Sequence, residues 1–370
     1  MKNENLSSLH ALGQSLWLDN ITRELLDNGS LQRYIDDYAI TGLTSNPTIF
    51  DEAIGSSTAY DAGIRDKTQA GLSGEALFVE LALEDLRRAA DLFRPVFSAT
   101  DGVDGWVSME LSPLLAADTA GSIEAAARIH RQGDRANLFV KIPGTPEGVP
   151  AIEESIFNGV PINVTLLFSV EQYRASAEAY LRGIERRIEA GLDPVVESVA
   201  SLFVSRWDKA TADKLPADLR NQLGIAVGQR TYRAYREMLD SPRWQRLAAA
   251  GAHPQRLLWA STGTKDPEAS DILYVQALAA PDTIDTLPEK TLHAFADHGR
   301  IEHAMAIDGG DAEAILQRIA GAGIDIDAVA TQLQRDGAKA FTQSWQQLLQ
   351  RIADKASAVA ATRYQEDAFG

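Results

Sequence analysis

Residues 138–143 read Leu138-Phe139-Val140-Lys141-Ile142-Pro143. A short run of apolar, β-favouring residues closed by proline is the mark of a strand buried on both faces. The lysine inside it breaks that rule, because lysine is among the residues least often fully buried. Two readings are open. Lys141 snorkels out or pairs with an acid at the strand end. Alternatively it is desolvated, and burial together with a nearby cation depresses its pKa until the neutral amine attacks a carbonyl and forms a Schiff base.

Similar runs occur on both sides of this one, at residues 16–21, 42–46, 106–111, 162–168, 199–204 and 257–261, with a weaker one at 283–287. Between them lie stretches with helical period. Phe78, Ala82, Leu86, Ala89, Phe93 and Phe97 recur every three or four residues, as do Tyr173, Ala177, Tyr180, Ile184 and Ile188. Each is a one-faced apolar stripe that packs on something flat. Strands alternating with helices predict parallel pairing through right-handed crossovers. Eight such units predict an α/β fold, a single (β/α)8 TIM-type barrel, and 370 residues suit one, since such barrels span about 200 to 400 residues. A doubly wound open sheet is the alternative, but no GxGxxG turn follows the first strand. The barrel is expected to occupy residues 1–290. Residues 291–370 read as extra C-terminal helices packed on the barrel rather than an independent domain, with helices at 292–305 and 312–324. An Ile326-Val329-Leu333 stripe follows, then a long amphipathic helix through Phe341, Trp345, Leu348, Leu349, Ile352 and Ala356.

Composition narrows the function. Thirty-five basic against 52 acidic residues give a net charge of −17. That field repels nucleic acid and anionic membrane, and neither is expected as a partner. An anionic ligand has to be held by a few placed cations. The absence of cysteine removes disulfides, thiolate metal sites and cysteine nucleophiles together. His298, Glu302 and His303 do not match a metal-ligand spacing, so neither a metal nor another cofactor is expected. No signal-peptide run opens the chain and no stretch nears about 18 apolar residues, which reads as a cytoplasmic protein. It is expected to be a monomer or a homodimer.

The strands carry polar residues late in their runs: Asp19, Asn46, Glu110, Lys141, Asn163, Thr165 and Ser201. In a parallel barrel the late ends share one rim, where active sites are built. Schiff-base chemistry needs an acid to expel water and a base to accept a hydroxyl proton, and Glu110 and Asp19 can divide those tasks. Asn46, Asn163, Thr165 and Ser201 suit a polyhydroxylated ligand, although Asn46 precedes Pro47 and can instead stabilise the turn. Arg206 follows the sixth run. Ser261-Thr262-Gly263-Thr264-Lys265 follows the seventh and suits a phosphate held by backbone N–H groups and a point charge. The competing reading of Arg206 is an ion pair with Asp208.

Three segments resemble the transaldolase family. Thr41-Gly42-Leu43-Thr44-Ser45-Asn46-Pro47 resembles its N-terminal signature. Leu138 to Gly148 resembles the signature around its Schiff-base lysine. Ile162-Asn163-Val164-Thr165-Leu166-Leu167-Phe168-Ser169 resembles its fifth-strand motif. The matches run in order from about residue 15 to 290. The resemblance implies a metal-free barrel of the class I aldolase kind. It implies transfer of a dihydroxyacetone unit from sedoheptulose 7-phosphate or fructose 6-phosphate to glyceraldehyde 3-phosphate or erythrose 4-phosphate, in the non-oxidative pentose phosphate pathway. By position it implies Lys141 as the Schiff-base nucleophile, Glu110 as acid and base acting through a water, and Asp19 as the base at the C4 hydroxyl. Thr165 would place the water. Asn46 and Asn163 would hold substrate and enamine, Ser201 the substrate hydroxyls, and Arg206 the phosphate. Shorter members carry arginine at the second phosphate position. Ser261 to Lys265 resembles the longer bacterial branch instead, with Ser261 and Lys265 as further phosphate ligands. Phe203 is expected to help keep water from the enamine. A fructose 6-phosphate aldolase-like enzyme and a non-catalytic sugar-phosphate-binding barrel remain the alternatives.

Overall fold

The computed structural model describes residues 2–369, with side chains to residue 358. Eight strands form one parallel sheet: β1 (Ser15–Leu18), β2 (Ile40–Leu43), β3 (Val107–Glu110), β4 (Leu138–Pro143), β5 (Ile162–Leu167), β6 (Ser198–Phe203), β7 (Arg256–Ala260) and β8 (Thr283–Leu287). Their order is β2-β1-β8-β7-β6-β5-β4-β3. The two ends of that order meet through Leu43 N–H to the Trp106 carbonyl and Gly105 N–H to the Thr41 carbonyl, both 2.9 Å. The expected barrel is therefore present, with β2 and β3 as its seam. Gly42 makes the seam possible. A Cβ there would lie 2.7 Å from both the Trp106 carbonyl and the Trp17 indole.

The strand ends differ from expectation by one to three residues. β1 stops at Leu18, so Asp19 lies just beyond it, although its N–H still donates to the Leu287 carbonyl at 2.8 Å. β2 covers Ile40–Leu43 rather than 42–46. Asn46 precedes a proline and takes an extended conformation as the N-cap of the helix Pro47–Ser56. β7 ends at Ala260, and Ser261 turns the chain with a positive φ of 58°.

The late strand ends form the working rim. The early ends are sealed by a polar network. Arg256 donates to the Ser15 hydroxyl at 2.8 Å and to the Thr283 carbonyl at 2.9 Å. Ser15 donates to Asp104, which also accepts from the Trp17 indole at 2.8 Å. Every polar group named there is partnered, as burial demands.

The C-terminal region corrects two expectations. The helix expected over 292–305 is Glu289–His298, and residues 299–311 have no helix. The two later stripes belong to one helix, Ile326–Phe369. No proline interrupts residues 334–340, so the three- and four-residue spacing carries through Ala330, Leu333, Gly337, Phe341, Trp345, Leu348 and Ile352. This helix lies against the helices Pro47–Ser56, Asp61–Gln69 and Gly74–Ala99. Trp345 meets Phe78 edge-on at 5.1 Å, and Arg351 and Lys355 pair with Asp51 and Asp61, each at 2.6 Å. Among the described residues no helix is long and apolar enough to cross a membrane.

Asp285 on β8 is fully buried and accepts one hydrogen bond, from the Thr262 hydroxyl at 2.8 Å. Burial pushes its carboxyl up to about 7. The folded state holds this proton above the pH at which the unfolded chain releases it. The group's contribution to stability is therefore full below about pH 4 and lost as pH rises towards 7, at about 1.4 kcal/mol per pH unit. Asp285→Asn is expected to flatten that part of the profile, as read from urea unfolding at pH 5, 6, 7 and 8.

Candidate active site

At the late rim lies a pocket whose floor and walls include Lys141, Thr165, Ser201, Asp19 and Asn46. Lys141 comes from β4 and Glu110 from its neighbour β3, where the two residues are register partners. The Lys141 Nζ stands 2.7 Å from Glu110 Oε2 and donates to the Ser45 carbonyl at 3.0 Å. Lys141 is 6 % exposed and Glu110 7 %. The charge nearest the lysine is thus an anion, where a cation was expected. Burial holds the Glu110 carboxyl above the ordinary range. The ammonium of Lys141 opposes that shift, and the negative charge of Asp19 adds to it.

Asp19 lines the pocket, and desolvation raises its carboxyl too. The hydrogen bond from Thr44, 2.8 Å away, and the charges of Lys141, Lys265 and Arg206 pull the other way. Thr44 has one hydroxyl proton. Giving it to Asp19 makes Thr286, 2.7 Å away, the donor to Thr44. A relay Thr286–Thr44–Asp19 results. Asn163 is the register partner of Lys141 on β5 and is fully buried. Its amide donates to the Ser108 hydroxyl at 3.2 Å and accepts from Ser201 at 2.7 Å. Thr165 lines the pocket, and its buried hydroxyl has no hydrogen-bond partner among the described residues.

Asn46 takes the turn-stabilising reading and also lines the pocket. Its carbonyl oxygen caps the helix by accepting from the Ile49 N–H at 3.1 Å. Ser261 shares a 2.9 Å hydrogen bond with Ser205. Arg206 does not pair with Asp208. That carboxylate accepts from Tyr274 at 2.8 Å and from the Leu223 N–H at 3.0 Å. Arg206 instead lies between two rings, with its guanidinium carbon 4.9 Å from the Phe203 centroid and 5.8 Å from that of Phe341. Among the described residues neither Arg206 nor Lys265 has a hydrogen-bond or ion-pair partner, and both line the pocket. Two unpaired cations thus stand at one mouth of a chain of net charge −17.

A buried lysine, two carboxylates in different settings, hydroxyls and two unpaired cations converge here from segments of residues 19–265. The family model described as Transaldolase/Fructose-6-phosphate aldolase matches residues 16–352. The chain belongs to that family. A protein named Transaldolase from Saccharopolyspora erythraea is 42% identical over 360 residues, covering 95% of this chain and 98% of that one. Another from Acidothermus cellulolyticus is 45% identical over 352 residues, covering 93% and 94%. Transaldolase 2 from Nostoc punctiforme is 39% identical over 375 residues, covering 96% and 98%. The resemblance drawn from the three segments is borne out. The family name spans both transfer and simple cleavage, so membership alone does not separate those reactions.

Several contributors were not singled out in the sequence. Thr44 and Ser45 sit within the quoted segment Thr41 to Pro47, and Ser108 lies two residues before Glu110; their hydroxyls look like ordinary strand and turn residues. Thr286 lies in the weakest strand. Phe341 reads as one more member of an apolar stripe, yet it lines the pocket.

Removing one partner of a buried ion pair leaves the other charge unpaired, at a cost of about 3 kcal/mol or more. Lys141→Met is expected to cost that much at pH 8 and progressively less as pH falls, because burial favours the protonated form of Glu110. Adding Glu110→Gln is expected to recover most of the loss. Urea midpoints of the two single variants and the double variant check this.

Proposed function

We propose that this chain is a transaldolase. The observation that carries the reading is the buried Lys141–Glu110 contact of 2.7 Å on the rim that also holds Asp19. Glu110, biased towards its neutral form by burial, accepts a proton from Lys141. The free amine attacks the C2 carbonyl of a ketose phosphate. Glu110 returns the proton to the carbinolamine hydroxyl through a water placed by Thr165, and water leaves to give the iminium. Asp19 takes the proton of the C4 hydroxyl. The C3–C4 bond breaks, its electron pair moves into the iminium to form an enamine, and an aldose phosphate departs. An acceptor aldehyde then reverses these steps, Asp19 returning its proton to the new hydroxyl, and hydrolysis frees Lys141.

Asn46, Asn163 and Ser201 hold the hydroxyls and the enamine. Arg206, Lys265 and Ser261 hold the phosphate. Donor and acceptor are the sugar phosphates named above, and the reaction belongs to the pentose phosphate pathway of the cytoplasm. The relatives' names support transfer over cleavage, and so does Phe203. That ring is 7 % exposed, lines the pocket and offers no hydroxyl to hold water near the enamine.

Borohydride reduction in the presence of fructose 6-phosphate tests the chemistry. A three-carbon adduct mapped to Lys141 and absent in Lys141→Ala is expected. Without an acceptor aldehyde, turnover is expected to stop after one half-reaction. Sustained release of dihydroxyacetone would make the enzyme an aldolase. Sugar-phosphate binding with no adduct would make the barrel a binding protein.

The anion clamp has its own check. Arg206→Ala removes charge-assisted hydrogen bonds and is expected to raise KM for fructose 6-phosphate about tenfold to a hundredfold. Reductive trapping of unphosphorylated dihydroxyacetone on Lys141 should be unchanged. Equal loss with both ligands would show that Arg206 acts elsewhere than on the phosphate.

A further inference from the structure

The C-terminal helix Ile326–Phe369 crosses the rim where β4 and β5 end. β5 does not end regularly. Val164 pairs with Ala200 and Leu167 with Leu202, so one extra residue is inserted between them. Leu166, the residue after Thr165, has a φ of +58°, in the left-handed region. A non-glycine residue held there is strained, and such strain persists only where the surroundings fix it. At the bulge the Leu166 carbonyl accepts a hydrogen bond from outside the sheet.

Gln334 of the C-terminal helix supplies it. Its side-chain amide donates one hydrogen to the Leu166 carbonyl and the other to the Gly144 carbonyl, each at 3.0 Å. The side chain is 9 % exposed. One –NH2 group, with both donors used, thus ties the end of β5, one residue past Thr165, to the chain three residues past Lys141. One turn on, Gly337 permits the close approach. A Cβ there would lie 2.9 Å from the Leu166 side chain and 3.2 Å from the Arg206 guanidinium. Glycine inside a helix costs about 1 kcal/mol relative to alanine, so this contact is made against the helix's own preference.

We propose that Gln334 is a positioning residue. It clamps β4 to the β5 bulge and thereby fixes the Thr165 hydroxyl relative to Lys141 for the water-handling steps. The proposal rests on the transaldolase reading and assigns the C-terminal helix a part in catalysis.

Gln334→Met keeps length and loses both donors. A displacement of about 1 Å at a reacting group is enough to lower kcat by about ten- to a hundredfold. That loss is expected here, with KM for fructose 6-phosphate held within about twofold. Because the effect passes through Thr165, adding Gln334→Met to Thr165→Val should lower kcat no further. Leu348→Ala, lower on the same helix, should reduce stability and leave kcat intact, which separates positioning from general loosening. If Gln334→Met does not fold, Gln334→Ala replaces it in the same cycle. Wild-type kcat in a folded Gln334 variant, losses that multiply with Thr165→Val, or an equal kcat loss in Leu348→Ala would each overturn the proposal. An adduct on Lys141 in the wild type together with any of these leaves the transaldolase reading standing; no adduct in the wild type removes that reading and the proposal with it.

Discussion

The contact between Lys141 and Glu110 constrains everything around it. Withdrawing two charges from water costs several kcal/mol per ion, and the pair offsets this only with good geometry and further hydrogen bonds. Register pairing of β3 with β4 supplies the geometry. The further hydrogen bond is donated by Lys141 to the Ser45 carbonyl, on the far side of the barrel seam. Ser45 is held there because its hydroxyl donates to the Ser108 carbonyl on β3 at 2.8 Å. The environment of Lys141 is therefore complete only when β2 closes against β3. Gly42 permits that closure, so a residue with no side chain helps set the surroundings of the Lys141 amine.

The same burial divides labour between the carboxylates. Both are raised by desolvation. Glu110 faces the Lys141 amine at ion-pair distance. Asp19 faces a hydroxyl relay and three more distant cations. Two carboxylates in such different surroundings can hold different protonation states at one pH, which is what alternating acid and base steps need.

The alternation of strands and helices was legible because both periods are strong and a barrel buries every strand. The polar residues stood out for the same reason: in a run that should be apolar, Lys141, Glu110 and Asn163 have no local explanation. Strand ends were less legible. Asp19 and Asn46 lie just past their strands because the turn chemistry of Asn46-Pro47 and the early exit of β1 override propensity. The C-terminal helix was read as two because its middle is polar on the outside, and polarity on a solvent face does not interrupt a helix. Gln334 and Phe341 carried no signal. A glutamine in a helix and a phenylalanine in an apolar stripe are ordinary, and their meaning lies in contacts to residues more than 130 positions away, such as Leu166 and Arg206.

The rim also shows where strain is kept. Leu166 and Ser261 both have φ near 58°, and each immediately follows a residue that lines the pocket, Thr165 and Ala260. Neither conformation is favoured locally, and each is held by a partner from another element. The Leu166 carbonyl accepts from Gln334, and the Ser261 carbonyl accepts from the Ser205 N–H at 3.0 Å. Strands deliver side chains to the rim at a spacing set by the ladder, which is too coarse to aim a hydroxyl at a reacting atom. A bulge or a left-handed residue adjusts the aim, at the cost of local preference, and tertiary contacts must then hold what the backbone would relax. The geometry of this rim is thus a property of docked elements as much as of the barrel, and a helix beginning at residue 326 holds the backbone just past Lys141 and Thr165.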